Sequence, residues 1–129
     1  MEKMLEKTME KITDSELEVL KILWAADSAL PLSVIRSRLQ ATMEWEAATI
    51  KTLLARLVSK RAVLQEKREV FYYSPLVTEE AYNAWATARL INRLYKGKAS
   101  NLVAALLHTD GISKADIDEL RQMFSEDNK

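Results

Sequence analysis

The segment from Glu46 to Lys60 carries hydroxyl groups and basic side chains at a regular spacing. At about 100° per residue, the rotation of an α-helix, Ile50 and three leucines fall on one side. The opposite side carries small side chains, hydroxyl groups and one guanidinium, which come from Ala48, Thr49, Thr52, Ala55, Arg56 and Ser59. Threonine and alanine can contact the methyl group of thymine, and arginine can pair with guanine through two hydrogen bonds. The pattern therefore predicts a helix whose polar side enters the major groove of DNA.

Positive charge is concentrated in this segment and in the one that follows it. The whole chain has 19 basic and 19 acidic residues. The stretch from Thr49 to Ser74, by contrast, has six basic residues and only two acidic ones. The six are Lys51, Arg56, Lys60, Arg61, Lys67 and Arg68. We expect Lys51, Lys60, Lys67 and Arg68 to contact DNA phosphates, because clustered cations supply the sequence-independent part of DNA affinity. A solvated helix with a basic end would show the same local charges.

The elements that must position this helix can be assigned from the hydrophobic pattern. A capping box at Thr13–Glu16 predicts the start of a first helix, which continues to about Ala26. Pro31 predicts the start of a short second helix, whose apolar side carries Val34, Ile35 and Leu39. The segment with the polar side described above is the third helix.

Two short β-like runs follow the third helix. They are Val63–Gln65 and Val70–Tyr73, and a polar tip joins them. The order helix, helix, helix, hairpin is typical of a winged helix-turn-helix, and this order distinguishes the segment from an ordinary basic helix. We therefore assign residues 1–12 to a helix-prone leader and residues 13–76 to a winged-helix DNA-binding domain.

Residues 77–129 have a helical pattern again, with helices expected at about 78–95, at 99–107 and after 113. The fold class is thus mainly α, with a small β-hairpin as the wing and a helical dimerisation segment behind it. The apolar residues of this half exceed what three short helices could bury among themselves. We expect them to meet a second copy of the chain. They are Tyr82, Trp85, Leu90, Ile91, Leu94, Leu102, Val103, Leu106 and Leu107. A compact monomeric helical cap is the alternative.

Several function classes are excluded or disfavoured by composition. The chain has no cysteine and one histidine, which excludes disulfides and thiolate metal sites and disfavours any other metal centre. We find no nucleophile–base pair and no glycine-rich phosphate loop, so we expect neither an enzyme nor a cofactor. No apolar run approaches the roughly 20 residues that cross a bilayer, and the N-terminus is charged throughout. We therefore expect a cytoplasmic protein without membrane insertion.

Three stretches carry a family resemblance. EWEAATIKTLLARLVSKRAVLQEKREVFYYSPLV resembles the recognition helix and wing of the penicillinase, methicillin-resistance and copper-operon repressors (the BlaI/MecI/CopY family). ITDSELEVLKILW and INRLYKGKASNLVAALL extend the resemblance over nearly the whole chain. It implies a homodimer that binds a palindromic operator in double-stranded DNA and represses transcription. It further implies DNA contacts at recognition-helix and wing positions, which here are Thr49, Lys51, Thr52, Arg56, Lys67 and Arg68.

The resemblance has two departures. The copper-responsive branch carries a cysteine-rich metal site that this chain lacks, which excludes copper sensing of that kind. In the β-lactam-responsive branch, cleavage of an Asn–Phe bond ends repression, and the aligned residues here are Ala105 and Leu106. The resemblance thus implies a proteolysis position at Ala105–Leu106 and a membrane-bound sensor protease as a partner, although the residue types differ. A winged helix that serves only as a protein-interaction module remains the alternative function, because fold does not fix function.

Overall fold

The computed structural model describes residues 2–108 and 112–127. Over these residues the chain is mainly helical, with one small antiparallel sheet, which confirms the predicted fold class. The elements in chain order are α1 Glu2–Glu10, α2 Asp14–Trp24, β1 Leu30–Pro31, α3 Leu32–Gln40, α4 Ala47–Ser59, β2 Val63–Lys67, β3 Phe71–Pro75, α5 Glu79–Tyr95, α6 Ala99–Leu107 and α7 Lys114–Asp127. The chain forms two compact units, the first ending at Trp85 and the second beginning at Ala86. This division falls within α5, whereas the pattern of the sequence changes near residue 76.

The core of the first unit is formed where α2, α3 and α4 meet the sheet. Each helix buries the apolar side that its periodicity predicts: Val19, Leu20 and Leu23 in α2, Ile35 and Leu39 in α3, and Ile50, Leu53, Leu54 and Leu57 in α4. Val63, Tyr73 and Val77 close the core from the hairpin side. The three helices are thereby fixed as a helix-turn-helix with its third helix held by its leucines.

The sheet has three strands in the order β1-β3-β2, all antiparallel. The hairpin of β2 and β3 is the predicted wing, and Lys67 pairs with Phe71 at its outer end. The third strand is β1, in which Leu30 and Pro31 pair with Tyr73 and Tyr72. Sequence reasoning did not predict β1, because two residues have no periodicity and their partners lie more than forty positions later.

The predicted leader forms α1 and belongs to the first unit. Met9 is buried in the core, and the Thr8 hydroxyl donates a hydrogen bond to the Lys60 carbonyl oxygen at 3.2 Å. The predicted capping box then begins α2. The backbone N–H of Glu16 donates to Thr13 Oγ1 at 3.2 Å, and the N–H of Thr13 donates to Glu16 Oε1 at 3.0 Å. These two bonds satisfy donors that the start of a helix leaves free.

The last turn of α4 closes with a residue in the left-handed conformation, Arg61, at φ 63°. The N–H of Ala62 donates to the Leu57 carbonyl oxygen at 2.9 Å, and that of Arg61 donates to the Val58 oxygen at 3.0 Å. This pair of bonds is the Schellman arrangement, which usually places glycine where Arg61 stands. The turn directs the chain from α4 into β2.

The second unit contains the end of α5, together with α6 and the described part of α7. Lys96 follows the last residue of α5 in the left-handed conformation at φ 51°, and the N–H of Gly97 donates to the Ile91 carbonyl oxygen at 3.2 Å. Ser113 and Asp116 bond reciprocally through side chain and backbone at 3.1 Å, which begins α7. No residue from Ala86 onward is fully buried within the described ranges.

Candidate nucleic-acid interface

The polar side of α4 is exposed, and its apolar side is buried. Ala48, Thr49, Lys51, Thr52 and Arg56 are all exposed. The leucines and Ile50 on the opposite side are held in the core described above. The predicted orientation of this helix is therefore confirmed. Contact of these side chains with DNA stays a prediction.

The centre of this face is a shallow depression lined by Ala48, Thr49, Thr52, Leu53 and Arg56. The Thr52 hydroxyl donates to the Ala48 carbonyl oxygen at 2.9 Å, which leaves its lone pairs and its methyl group for other contacts. Among the described residues, no carboxylate forms an ion pair with Arg56. The face thus offers a methyl group, hydroxyl acceptors and a guanidinium, which are the groups that read base edges in the major groove.

The turn between α3 and α4 fixes where this face points. The Gln40 side-chain N–H donates to the Trp45 carbonyl oxygen at 3.1 Å, just before α4 begins. The N–H of Met43 donates to the Leu39 carbonyl oxygen at 2.7 Å. Trp45 itself is half-buried and packs against the core. Bonds at both ends of the turn therefore hold α4 against α3.

The wing carries two cations that lie over aromatic rings. Lys67 Nζ is 5.5 Å from the centroid of the Phe71 ring, and Arg68 Cζ is 4.6 Å from that of Tyr72. Arg68 Nε also lies 3.2 Å from Glu66 Oε2, in an exposed ion pair. Such contacts restrict long side chains and retain their charge. Lys67 and Arg68 are both exposed, as a contact with phosphate requires.

Lys60 lies elsewhere, which corrects its assignment as a phosphate contact. Its ammonium donates to the two carboxylate oxygens of Glu16 at 2.6 and 2.8 Å and to the Lys11 carbonyl oxygen at 2.7 Å. Glu16 is fully buried. Lys60 therefore links the end of α4 to the start of α2 inside the first unit, and we leave it out of the interface. Local periodicity cannot reveal this partner, which stands 44 positions earlier in the chain.

Tyr82 and Trp85 also lie elsewhere than predicted, because they pack on the core of the first unit. The Tyr82 ring centroid is 5.8 Å from that of Trp24 and 5.7 Å from that of Trp85. The indole N–H of Trp24 donates to the Val77 carbonyl oxygen at 2.8 Å, which anchors this aromatic group. Burial raises the pKa of Tyr82 above its ordinary value of 10.0; the Asp14 carboxylate raises it further, and Lys21 opposes both.

The other predicted dimerisation residues lie in the second unit and leave apolar surface open. Leu90, Leu94, Val103, Leu106 and Leu107 are exposed, and Ile91 and Leu102 are partly buried. The predicted proteolysis position lies within α6, where Ala105 is partly buried and Leu106 is exposed.

Sequence reasoning missed a groove between the wing and the helices. Its volume is about 610 Å³. It is lined by Pro31, Leu32, Ser33, Lys51, Lys67, Glu69, Val70, Phe71 and Tyr73. Of these residues, the sequence pattern assigns only Lys51 and Lys67 to DNA contact. The groove depends on pairing between distant segments, so no local pattern could reveal its apolar members.

The described residues contain no group of three or more histidine, cysteine, aspartate or glutamate side chains that could hold a metal ion. Within the same residues, every helix is too short or too polar to cross a bilayer.

Residues 12–126 match the sequence model of a protein family described as penicillinase repressor. The chain belongs to the penicillinase repressor family.

Individual members of the penicillinase repressor family are similar to this chain over almost the whole length of both proteins. The penicillinase repressor of Bacillus licheniformis is 36% identical over 121 residues, which are 93% of this chain and 94% of the relative. The methicillin resistance regulatory protein MecI of Mammaliicoccus sciuri is 32% identical over 120 residues, which are 92% and 96% of the two chains.

A solved structure is similar to about half of this chain. It is the solution structure of the Bacillus licheniformis BlaI monomeric form in complex with the blaP half-operator. It is 37% identical in sequence, with a TM-score of 0.50, and the match covers 56% of this chain and 88% of that chain. The winged-helix assignment thus agrees with a solved member of the family.

Proposed function

We propose that this protein is a homodimeric transcriptional repressor that binds a palindromic operator through α4 and the wing. The observation that carries the proposal is the division of α4 into a buried leucine side and an exposed side that carries Thr52 and Arg56. An exposed face with a methyl group, hydroxyl groups and a guanidinium suits base edges. The proposed DNA contacts are Ala48, Thr49, Lys51, Thr52, Arg56, Lys67 and Arg68.

The dimer part of the proposal is supported by the second unit. Leu94 and Leu107 are among its most exposed hydrophobic residues, and a surface of this kind is usually covered by a partner. A solved relative is described as a monomeric form bound to a half-operator. Two copies related by a twofold axis would then match a palindrome made of two such halves.

We further propose that the protein catalyses no reaction and acts in the cytoplasm. Its release from DNA would follow cleavage at Ala105–Leu106 by a membrane-bound sensor protease. The supporting observation is that Leu106 is exposed and precedes the end of α6 by one residue. Incubating the purified protein with a membrane fraction that contains such a protease, followed by mass spectrometry, tests the position. Cleavage at another bond would contradict it.

The DNA proposal is tested by selecting sequences from a pool of random duplexes. The wild-type protein should enrich a palindromic sequence. Arg56→Ala should cost roughly 1–3 kcal/mol of binding free energy on the selected duplex and much less on random DNA. Arg121→Ala in α7 serves as the control and should bind as the wild type does. Equal loss on both duplexes would assign Arg56 to a phosphate, and failure of the wild type to bind any duplex at low ionic strength would refute the proposal.

The dimer proposal is tested by sedimentation of Leu94→Glu. This substitution puts a charge on the proposed contact surface, so the protein should sediment as a monomer. Losing the second half-site should weaken operator binding by about 10²–10⁴-fold. Met4→Glu is a matched control, because Met4 is 60% exposed and Leu94 is 63% exposed. If the two variants sediment alike, the second unit does not form the dimer.

A further inference from the structure

Lys60, which follows the last residue of α4, is held by both its backbone and its side chain. Its carbonyl oxygen accepts a hydrogen bond from the Thr8 hydroxyl at 3.2 Å. Its ammonium donates to the Lys11 carbonyl oxygen at 2.7 Å and to the two carboxylate oxygens of Glu16 at 2.6 and 2.8 Å. Its backbone N–H donates to the Arg56 carbonyl oxygen at 2.9 Å. One residue therefore joins α1 and the start of α2 to the turn of α4 that carries Arg56. We call these bonds the Lys60 network.

The partners of Lys60 are themselves restricted. Glu16 is fully buried, and its carboxylate also accepts a hydrogen bond from the N–H of Thr13 at 3.0 Å. Met9 is 5% exposed and belongs to the core, so α1 is anchored one residue after Thr8. The side chain of Lys60 is itself only 23% exposed. The end of α4 is thus bonded to groups that have little freedom to move.

Directional bonds of this kind resist rotation of α4 about its own axis more than apolar packing does. The leucines of its buried side contribute through contacts that are non-directional, whereas hydrogen bonds depend on angle. Because a helix with its side chains is about 10–12 Å across, a rotation of about 10° would move an atom at its surface by about 1 Å. The usual N–H···O distances span only about 0.5 Å. A small rotation would therefore weaken a pairing of Arg56 with guanine through two hydrogen bonds.

We infer that the Lys60 network sets the angular position of α4, and thereby how well the protein distinguishes its operator from other DNA. Lys60, Glu16 and Thr8 are positioning residues, which act through Arg56 and touch no nucleotide. The inference rests on the proposed operator binding and on the proposed pairing of Arg56 with guanine. It gives α1 a part in recognition, although that helix contributes no contact to the proposed interface.

The experiment measures the affinity of each variant for the selected duplex and for a random duplex, and the ratio of the two affinities is the discrimination. Lys60→Met loses the ammonium, so the discrimination should fall by about tenfold, which lies within the contribution of one two-bond pairing. Affinity for the random duplex and its salt dependence should not change, because no phosphate contact is lost. Lys60→Arg retains a cation for Glu16 and should keep most of the discrimination. Lys21→Met, which removes the exposed ion pair with Glu18, is the matched control and should keep all of it.

Two further variants separate positioning from stability. Lys60→Met leaves the buried Glu16 carboxylate without its cation, which also lowers the stability of the fold. The combined variant Glu16→Gln/Lys60→Met removes both charges and keeps a side-chain acceptor for the start of α2. It should regain stability in urea but keep the low discrimination, because the bond to Lys60 is still absent. Thr8→Val removes only the hydroxyl donated by α1, and it should lower the discrimination by less than Lys60→Met does while circular dichroism shows a folded chain.

A double-mutant cycle with Arg56→Ala measures whether the network acts through that side chain. Lys60→Met should hardly change the discrimination of the Arg56→Ala protein, since the pairing that it disturbs is already gone. If the two losses add, or if the combined Glu16→Gln/Lys60→Met variant regains discrimination together with stability, the inference is wrong and the proposed function stands. The same conclusion follows if Arg56→Ala weakens binding to both duplexes equally. If the wild type binds no duplex, both are wrong.

Discussion

The two units of this protein use their apolar side chains differently. In the first unit, residues from α1 to Val77 form a closed core that includes the buried faces of three helices and part of a sheet. From Ala86 onward, by contrast, the described residues include none that is fully buried, although leucines recur through α5 and α6. The first unit therefore buries its apolar side chains within one chain. The second unit has the apolar composition of a core, but its described residues do not bury one another fully. Apolar surface of this kind suits contact with another surface, which is why we propose that the second unit forms the dimer.

The largest expected effect comes from Leu57→Ala in the core of the first unit. Leu57 is fully buried, so the free energy of unfolding should fall by about 2–5 kcal/mol, at any protein concentration. Leu102→Ala in α6 is the counterpart. Its effect should depend on protein concentration, because a contact with a second copy contributes by mass action. Urea unfolding at several concentrations measures both. A loss for Leu102→Ala that does not vary with concentration would mean that the second unit is complete in one chain.

The next effect concerns the ion pair that fastens α4 inside the first unit. Lys60→Met leaves the buried Glu16 carboxylate without its cation, and the free energy of unfolding should fall by about 3 kcal/mol. Lys21→Met removes the exposed ion pair with Glu18 and should cost less than about 0.5 kcal/mol. Chemical denaturation compares the two lysines directly. Similar losses of unfolding free energy in the two variants would show that the ion pair with buried Glu16 contributes no more to stability than the exposed one.

A smaller effect, of opposite sign, is expected at the ends of α4 and α5. Arg61 and Lys96 both hold the left-handed conformation at the position after a helix, one in each unit. Glycine adopts that conformation without the steric cost of a β-carbon, so Arg61→Gly and Lys96→Gly should each raise the free energy of unfolding by about 0.5–1 kcal/mol. Thermal unfolding measures the gain. A loss at either position would show that the replaced side chain contributes more than the backbone conformation costs.

The smallest effect is a pH dependence at the aromatic group that ends the first unit. Because the pKa of Tyr82 is raised in the folded state, folding favours the protonated phenol. The corresponding stability is fully present below pH 10 and is lost as pH rises through the folded pKa. Tyr82→Phe should lose less stability than the wild type at alkaline pH. Thermal unfolding of both proteins at increasing alkaline pH measures this difference. If the melting temperatures of the two proteins fell in parallel as pH rises, the raised pKa of Tyr82 would be refuted.

The sequence predicts structure that depends on neighbouring residues, but it does not predict contacts between residues that are far apart in the chain. The helix around Ile50 and the capping box at Thr13 follow from spacing within one or two turns, and both are confirmed. Lys60 is predicted to contact a phosphate because periodicity describes where a side chain starts and not how far it reaches. Its four-carbon chain extends to Glu16, which the sequence places in another helix.

The same limit applies to Tyr82 and Trp85. Periodicity puts them on one stripe with Leu90 and Leu94 but does not say which core each residue joins. The structure divides that stripe between the two units. The apolar side of the wing groove was missed for a related reason, since Leu32 and Phe71 meet there only through long-range pairing.

The carboxylate of Glu16 serves two helices at once, because it caps the beginning of α2 and neutralises the cation at the end of α4. A substitution at one of these two positions changes what is tolerated at the other. Across relatives, a basic residue at the position of Lys60 should accompany an acidic one at that of Glu16, and an apolar pair should replace them together. The two positions should therefore evolve as one unit, although 44 residues separate them.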